Sequence, residues 1–298
     1  MMRFVDRGFY AFIAVVLILI LVQSNVSAQS ETGLWAGAGL KKDLPKGMNA
    51  EFDAEWRQTG FFTETDRWSV GASFSKRLYR NKAKSFNVRA DVGYKFLSSS
   101  NQAYTVDKRD PEDYGEDFVL EDDREPQYYI DNSFDFNLTK AFMESRHRVS
   151  ASLSASFEAG RFEFSVRERV QYTYSCGKDS IRERHRFEEG DYDMETGEFS
   201  MVHNVSLASV GSSEKTFLRS RISVEYDIPH FKLDPFVSYE IFSDMNDGMA
   251  YDKGRVTAGA GITFKKKHSF EFAYIWQDHS DDDEPVCSAV SVNYTFKF

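Results

Sequence analysis

Beyond residue 30 the chain has no apolar run approaching the ~20 residues that cross a bilayer as a helix, which excludes a bundle of membrane helices. Proline is scarce, six residues in all, and the 18 glycines are spread along the chain. That excludes low-complexity disorder and is what long paired strands tolerate. Only two cysteines are present, so there is neither a disulfide framework nor a Cys/His cluster for zinc. Cys176 and Cys287 either pair in an oxidising compartment or remain free thiols. Positive charge is in deficit, 37 Lys and Arg against 47 Asp and Glu, which argues against a nucleic-acid partner. No glycine-rich phosphate loop and no haem motif is found, and no cofactor is expected.

Two features of what is present must be explained together. Aromatic residues make up 15% of the chain, normally the mark of a large buried core, yet the mean hydropathy is -0.50 and 28% of residues are charged. A transmembrane barrel reconciles them, because each strand shows lipid an apolar face and the lumen a polar one. The N-terminus carries a targeting pattern: Arg3 and Arg7, an apolar stretch Phe9 to Val22, then the small-residue site Val26-Ser27-Ala28. The expectation is a signal peptide over 1–28, cleaved before Gln29, and a barrel over 29–298. Cleavage removes two arginines and Asp6, taking the formal charge from -10 to -11.

Period-2 alternation dominates the rest. In Arg161 to Tyr174, Phe162, Phe164, Val166, Val170, Tyr172 and Tyr174 take one face. Arg161, Glu163, Ser165, Arg167, Arg169, Gln171 and Thr173 take the other, with Glu168 an exception on the apolar side. The phase recurs in Met48 to Arg57, Phe86 to Phe96, Val149 to Phe157, Leu218 to Tyr226, Leu233 to Phe242, Val256 to Phe264 and Phe270 to Asp278. Strands of this length fit the ~9–11 residues of a tilted barrel strand better than the five or six usual in a soluble sandwich. The expected fold is therefore all-β, a transmembrane antiparallel β-barrel of about twelve strands. They fall at 34–41, 48–58, 67–78, 85–98, 128–142, 147–158, 161–174, 214–226, 232–243, 254–264, 268–278 and 286–298.

The connections divide by chemistry. Lys41 to Gly47, Arg80 to Lys84 and Phe264 to His268 are short and mostly basic, whereas 99–127, 175–200, 244–253 and 279–285 are long and acidic. Short turns belong on the periplasmic side and long loops outside. One region does not close: with 128–142 and 147–158 both full strands, alternation cannot put 99–127 and 175–200 on one side while Glu158-Ala159-Gly160 stays a periplasmic turn. Either 128–142 belongs to an external hairpin or the first segment does not enter as a simple strand. The last strand alternates Val290, Val292, Tyr294, Phe296 and Phe298 with Ser291, Asn293, Thr295 and Lys297. Tyr294, Phe296 and Phe298 form the kind of aromatic ending that outer-membrane barrels present to the barrel assembly machinery, which places the chain in the outer membrane of a Gram-negative bacterium, in contact with its lipids.

The stretches Arg219 to Pro229, Asp234 to Glu240 and Gly259 to Phe264 with Tyr274 resemble the outer-membrane barrels grouped as domain of unknown function 2490. Phe164 to Thr173, Trp35, Lys41-Lys42 and Trp56-Arg57 are similar too. The resemblance spans most of 33–298 and rests on Arg and aromatic strand positions. It implies a barrel of unassigned biochemical role and transfers no functional residues.

Three constellations are candidates for function. On the lumen-facing set, Arg167, Arg169, Arg219 and Arg221 form a basic wall from neighbouring strands. Glu51, Asp53 and Glu55 lie about six strands away, so acid faces base across the lumen. Such a field selects small polar solutes in a narrow channel; alternatively these charges pair and plug the interior, with Glu163, Glu225 and Glu240 at hand to neutralise the arginines. A lipid hydrolase with a His and Ser pair is the least favoured reading: His203 and Ser206, His147 and Ser150, and His268-Ser269 all lack the motif context, and a non-enzyme is expected. Finally, Asp281 to Glu284 and Glu121-Asp122-Asp123 offer hard oxygen ligands to divalent cations without the ordered spacing of a calcium loop.

Overall fold

The computed structural model describes residues 31–59, 64–110, 119–193, 198–229, 233–280 and 287–298; the signal segment and Asp281 to Glu284 lie outside them. The described residues form fifteen strands: β1 Glu31–Leu44, β2 Met48–Thr59, β3 Glu64–Arg80, β4 Phe86–Asn101, β5 Tyr104–Asp107, β6 Phe136–Thr139, β7 Phe142–Ala159, β8 Phe162–Ser175, β9 Lys178–Asp193, β10 Glu198–Val210, β11 Ser213–Tyr226, β12 Leu233–Asp244, β13 Ala250–Phe264, β14 His268–His279 and β15 Cys287–Lys297. A short helix, α1, spans Pro126–Asp131.

Eleven strands close a barrel in the order β1-β15-β14-β13-β12-β11-β8-β7-β4-β3-β2. The alternation read from sequence is what closes it. Phe52, Trp56, Val70, Phe74, Val92, Leu153, Phe164, Val166, Ile222 and Phe272 are exposed on the outer surface. The intervening residues, many of them serines such as Ser69, Ser152, Ser238 and Ser291, are buried within. This apolar-out, polar-in arrangement is that of a transmembrane barrel.

The barrel departs from the expected one in two respects. Its count is eleven, because 128–142 forms no barrel strand of its own: Tyr128 to Asp131 is helical, with Pro126 in the first turn, Phe136–Thr139 is extended in the other sheet, and Phe142 only begins β7. With that segment removed, the alternation that failed to close does close. An odd count has a geometric consequence. Strands that alternate in direction around a ring of eleven must meet once in parallel, and β1 pairs β15 in parallel, from Glu31↔Cys287 to Lys41↔Lys297. The barrel is therefore not purely antiparallel. On the other side of β1, facing β2, a Cβ on Gly33 would lie 2.6 Å from the carbonyl oxygen of Gln58, so no larger residue fits without moving backbone.

Residues Ser98–Arg146 and Ser175–Ser213 form a second compact unit. Its sheet has the order β10-β9-β6-β5. The segment 175–200, expected as a loop, is thus mostly strand, and part of 99–127 is β5. Phe136 is fully buried, stacked against Tyr129 on one side (4.8 Å) and His185 on the other (4.2 Å). Buried Asp107 accepts the backbone N–H groups of Arg109 and Glu121 and the Arg109 guanidinium, the last at 2.5 Å.

Candidate functional site

The charged lumen is built by strand geometry alone: alternate residues of neighbouring strands converge on the interior. Arg167 and Arg169 of β8 and Arg219 and Arg221 of β11 are all on the inward set, as the sequence suggests, while Glu168 points outward and accepts the Ser220 hydroxyl at 2.6 Å. Glu240, on β12, is the node. Its two carboxylate oxygens accept Nη2 of Arg167 and Nη2 of Arg219, each at 2.7 Å, and Arg255 stands 4.0 Å away. Arg219 also donates to Gln171 (2.7 Å), Arg255 to Gln277 (2.6 Å) and Arg148 to Thr173 (3.2 Å). Arg169 lies 3.8 Å from Asp91, which also accepts the Ser152 hydroxyl.

The acid wall of β2 is in place and its strand lies five steps from β11 one way round and six the other, so the two are opposite. It does not, however, leave an open field against the arginines. Glu51 pairs with Lys41 (3.6 Å), Asp53 with Lys95 (2.5 Å) and Glu55 with Arg57 (2.7 Å). Charges on the same strand, the next strand or the next but one reach one another before charges across the lumen do. Of the three acids expected to neutralise the basic wall, only Glu240 is bonded to it among the described residues. Glu225 has Glu163, Asp234 and Glu271 as its charged surroundings instead.

Sequence reasoning missed the residues that fill the centre. Trp35 of β1 is buried against Ile275 and Ala289. The guanidinium of Arg57 stacks 3.4 Å from its ring centroid and that of Arg255 stands 5.1 Å away. Phe242 receives Arg219 (4.4 Å) and Arg255 (5.0 Å) in the same manner. Desolvated cation–π contacts of this kind contribute ~2 kcal/mol or more. The signal was available: Trp35 has the inward phase shared by Gly33, Gly37 and Gly39, and Arg57 is its register partner on β2.

The model of the family described as "Protein of unknown function (DUF2490)" matches residues 32–285. The chain belongs to the DUF2490 family. No functionally curated protein matches it. Among solved structures this DUF2490 barrel is similar to the β domain of the Bordetella autotransporter BrkA, at 10% identity and a TM-score of 0.42 over 86% of each chain. It is also similar to the translocator domain of the autotransporter NalP from Neisseria meningitidis, at 10% identity and a TM-score of 0.26 over 92% of this chain and 91% of that one.

The remaining candidate residues of this DUF2490 protein take up local roles. His147 bonds Tyr94 (2.8 Å), His268 bonds Tyr294 (2.9 Å) and His203 bonds His185 (2.9 Å). Burial holds the His185 imidazole below its ordinary pKa, and His203 and Arg186 act in the same direction against Glu183. In the acidic run, Glu121 accepts Arg124 (3.2 Å) and Tyr128, and Asp122 accepts the Asp107 N–H (2.7 Å). Among the described residues no group of three or more His, Cys, Asp or Glu is arranged to hold a metal ion. Cys176 and Cys287 are free thiols. Tyr294, Phe296 and Phe298 sit together: Tyr294 packs on Phe270 (4.9 Å), and Phe296 contacts His268 (5.2 Å) and Phe298 (6.2 Å).

Proposed function

We propose that this protein is a non-enzymatic outer-membrane barrel whose lumen is closed at rest by its own side chains. The observation that carries this reading is the stack of Arg57 and Arg255 on buried Trp35, locked to the Glu240 node through Arg255. A barrel of this size stands between eight-strand barrels filled by side chains and wide porins, and here the filling is aromatic and ionic. The apolar outer surface and the cluster formed by Phe270, Tyr294, Phe296 and His268 support contact with outer-membrane lipids, since aromatic girdles mark the interfaces of such barrels. The long acidic connections, which include most of the second unit, are the part available for interaction at the cell surface.

Planar-bilayer recording of the purified protein tests the reading. The expected result is no steady conductance in the wild type and discrete openings once Trp35→Ala and Arg255→Ala remove the stack. Steady wild-type openings overturn it in favour of a narrow channel for small polar solutes. Hydrolysis of phospholipid by the detergent-solubilised protein with calcium present overturns the non-enzymatic part.

A further inference from the structure

The apolar exterior of the barrel is broken at its centre by one acid. Outward residues of β8 begin with Phe162 and Phe164 and end with Tyr172 and Tyr174, and Glu168 stands midway between them. Aromatic residues mark the two interfaces of such barrels, the band between them is apolar, and a charged group on it costs most at the midplane. Elsewhere the band keeps to that rule: Phe52 on β2, Val70 on β3, Val92 on β4, Leu153 on β7 and Phe272 on β14 are exposed on it. Of the described residues facing outward between the aromatic ends of the strands, Glu168 is the only Asp, Glu, Lys or Arg. Its side chain is exposed, and its hydrogen bond is with the hydroxyl of Ser220 on β11, which donates to Oε2 at 2.6 Å. A carboxylate offers about four acceptor sites and a serine oxygen can accept as well, so the pair has hydrogen-bonding capacity left over. In hydrocarbon there is no water to take it up, and ionisable side chains at that depth face protein rather than lipid.

We propose that the outer face of β8 and β11 docks a second copy of this protein within the membrane, with the two Glu168 and Ser220 pairs meeting at the centre of the contact. The inference rests on the barrel spanning a membrane, as proposed above. Two copies inserted with the same sidedness can be related by a two-fold axis only along the membrane normal. Glu168 and Ser220 lie on neighbouring strands. At a strand spacing of ~4.8 Å and a tilt of ~35–45° they differ in depth by only ~3 Å. Rotation about the normal keeps depth and exchanges left for right, so each carboxyl faces the partner's Ser220 hydroxyl and each serine the partner's carboxyl. Val166, Val170 and Ile222, all exposed, supply the van der Waals packing around the polar centre that association in lipid requires. Other occupants lack the complement: headgroups lie at the interfaces, acyl chains carry no donor, and an unlike barrel would need its own polar group at the same depth.

The test uses the full protein, with Cys176 and Cys287 replaced by serine, in vesicles of phosphatidylcholine. Val170→Cys, beside the axis, should oxidise to a covalent dimer and nothing larger, whereas Phe52→Cys, four strands round from β8, should stay monomeric. Energy transfer between labelled copies, followed as the protein is diluted in lipid, gives the strength of association. Glu168→Leu should weaken it by about tenfold, and Glu168→Gln, which keeps an acceptor and adds a donor, should retain most of it. An inserted wild type that is monomeric, equal cross-linking at Val170→Cys and Phe52→Cys, or a dimer indifferent to Glu168→Leu overturns the proposal. So does a different outer-membrane protein trapped by Val170→Cys in whole cells in place of the dimer. Resistance of the vesicle-bound protein to alkaline extraction scores insertion separately, so loss of the membrane reading, which would take the proposal with it, is distinguished from failure of the dimer alone. Should Glu168→Leu not fold, the contrast between Val170→Cys and Phe52→Cys decides the matter.

Discussion

At the residue scale Glu240 carries more than any other side chain of the lumen. It is buried, and its partners Arg167 and Arg219 are themselves 21% and 11% exposed. Removing one member of a buried ion pair strands the other, which costs ~3–5 kcal/mol, far more than the pair contributes over an apolar replacement. Glu240→Gln keeps the shape and one acceptor but loses the charge that two guanidinium groups contact directly. It should therefore lower barrel stability by about 3 kcal/mol in denaturant titrations followed by circular dichroism. Glu51→Gln is the comparison, since it is 37% exposed in its 3.6 Å pair with Lys41 and pairs of that kind contribute ~0–1 kcal/mol. Equal losses in the two variants would show that Glu240 is not the node. That an acid would occupy this inward position was legible in the sequence, because Glu240 has the phase of Ser238 and Phe242. That it would gather three arginines was not, since Arg255 reaches it only through the register of β12 with β13.

At the scale of elements, the strands that were legible are those with unlike faces. β2 and β8 alternate cleanly because one side meets an apolar exterior and the other a polar lumen. β9 does not: its sequence Lys178 to Asp193 carries charges on both faces, so period 2 is hidden and the segment reads as a loop. The opposite error arose at 128–142, where Phe134, Phe136 and Leu138 alternate and so mimic a spanning strand. There Pro126 starts a helix, and Ser133, at φ 55°, breaks the extended path. The β9 and β10 hairpin also makes a pH prediction. His185 is buried between Phe136 and His203, its pKa held down by burial. A histidine with a depressed folded pKa binds fewer protons when folded than when unfolded, so its contribution is present above the unfolded value of 6.5 and is lost as pH falls below it. Amide exchange, corrected for its intrinsic pH dependence, should show protection of the hairpin falling between pH 7.5 and pH 5.5, and His185→Phe should flatten that change. Protection that stays constant across this range would remove the titration argument.

At the scale of the whole molecule the decisive number is eleven. Single-chain bacterial barrels usually have an even count, and an even count lets every neighbour be antiparallel, with first and last strands closing like any hairpin. An odd count forbids that, and the structure resolves the conflict by placing β1 and β15 side by side in the same direction. Parallel ladders are slightly less stable per residue, and here the seam has further ties. Lys297 pairs with Asp43 at 2.6 Å, the Phe298 N–H donates to the Lys41 carbonyl at 3.0 Å, and the Lys42 ammonium lies 5.1 Å over the Phe298 ring. The register makes the seam testable by cross-linking. Ala36 opposes Val292 and Ala38 opposes Tyr294, both on outward-facing sets, at the separation of adjacent strands that a disulfide bridges. In a background where Cys176 and Cys287 are replaced by serine, Ala36→Cys with Val292→Cys should oxidise to an intramolecular bridge and retain the barrel on heating in detergent. A mismatched pair such as Ala36→Cys with Phe296→Cys, displaced by four residues along the ladder, or about 13 Å at the ~3.3 Å rise of a parallel strand, should not bridge. An antiparallel meeting of the same two strands about the Ala36 and Val292 row would bring Leu34 against Tyr294, so efficient bridging of Leu34→Cys with Tyr294→Cys and none of Leu34→Cys with Val290→Cys would overturn the parallel closure and the eleven-strand count together.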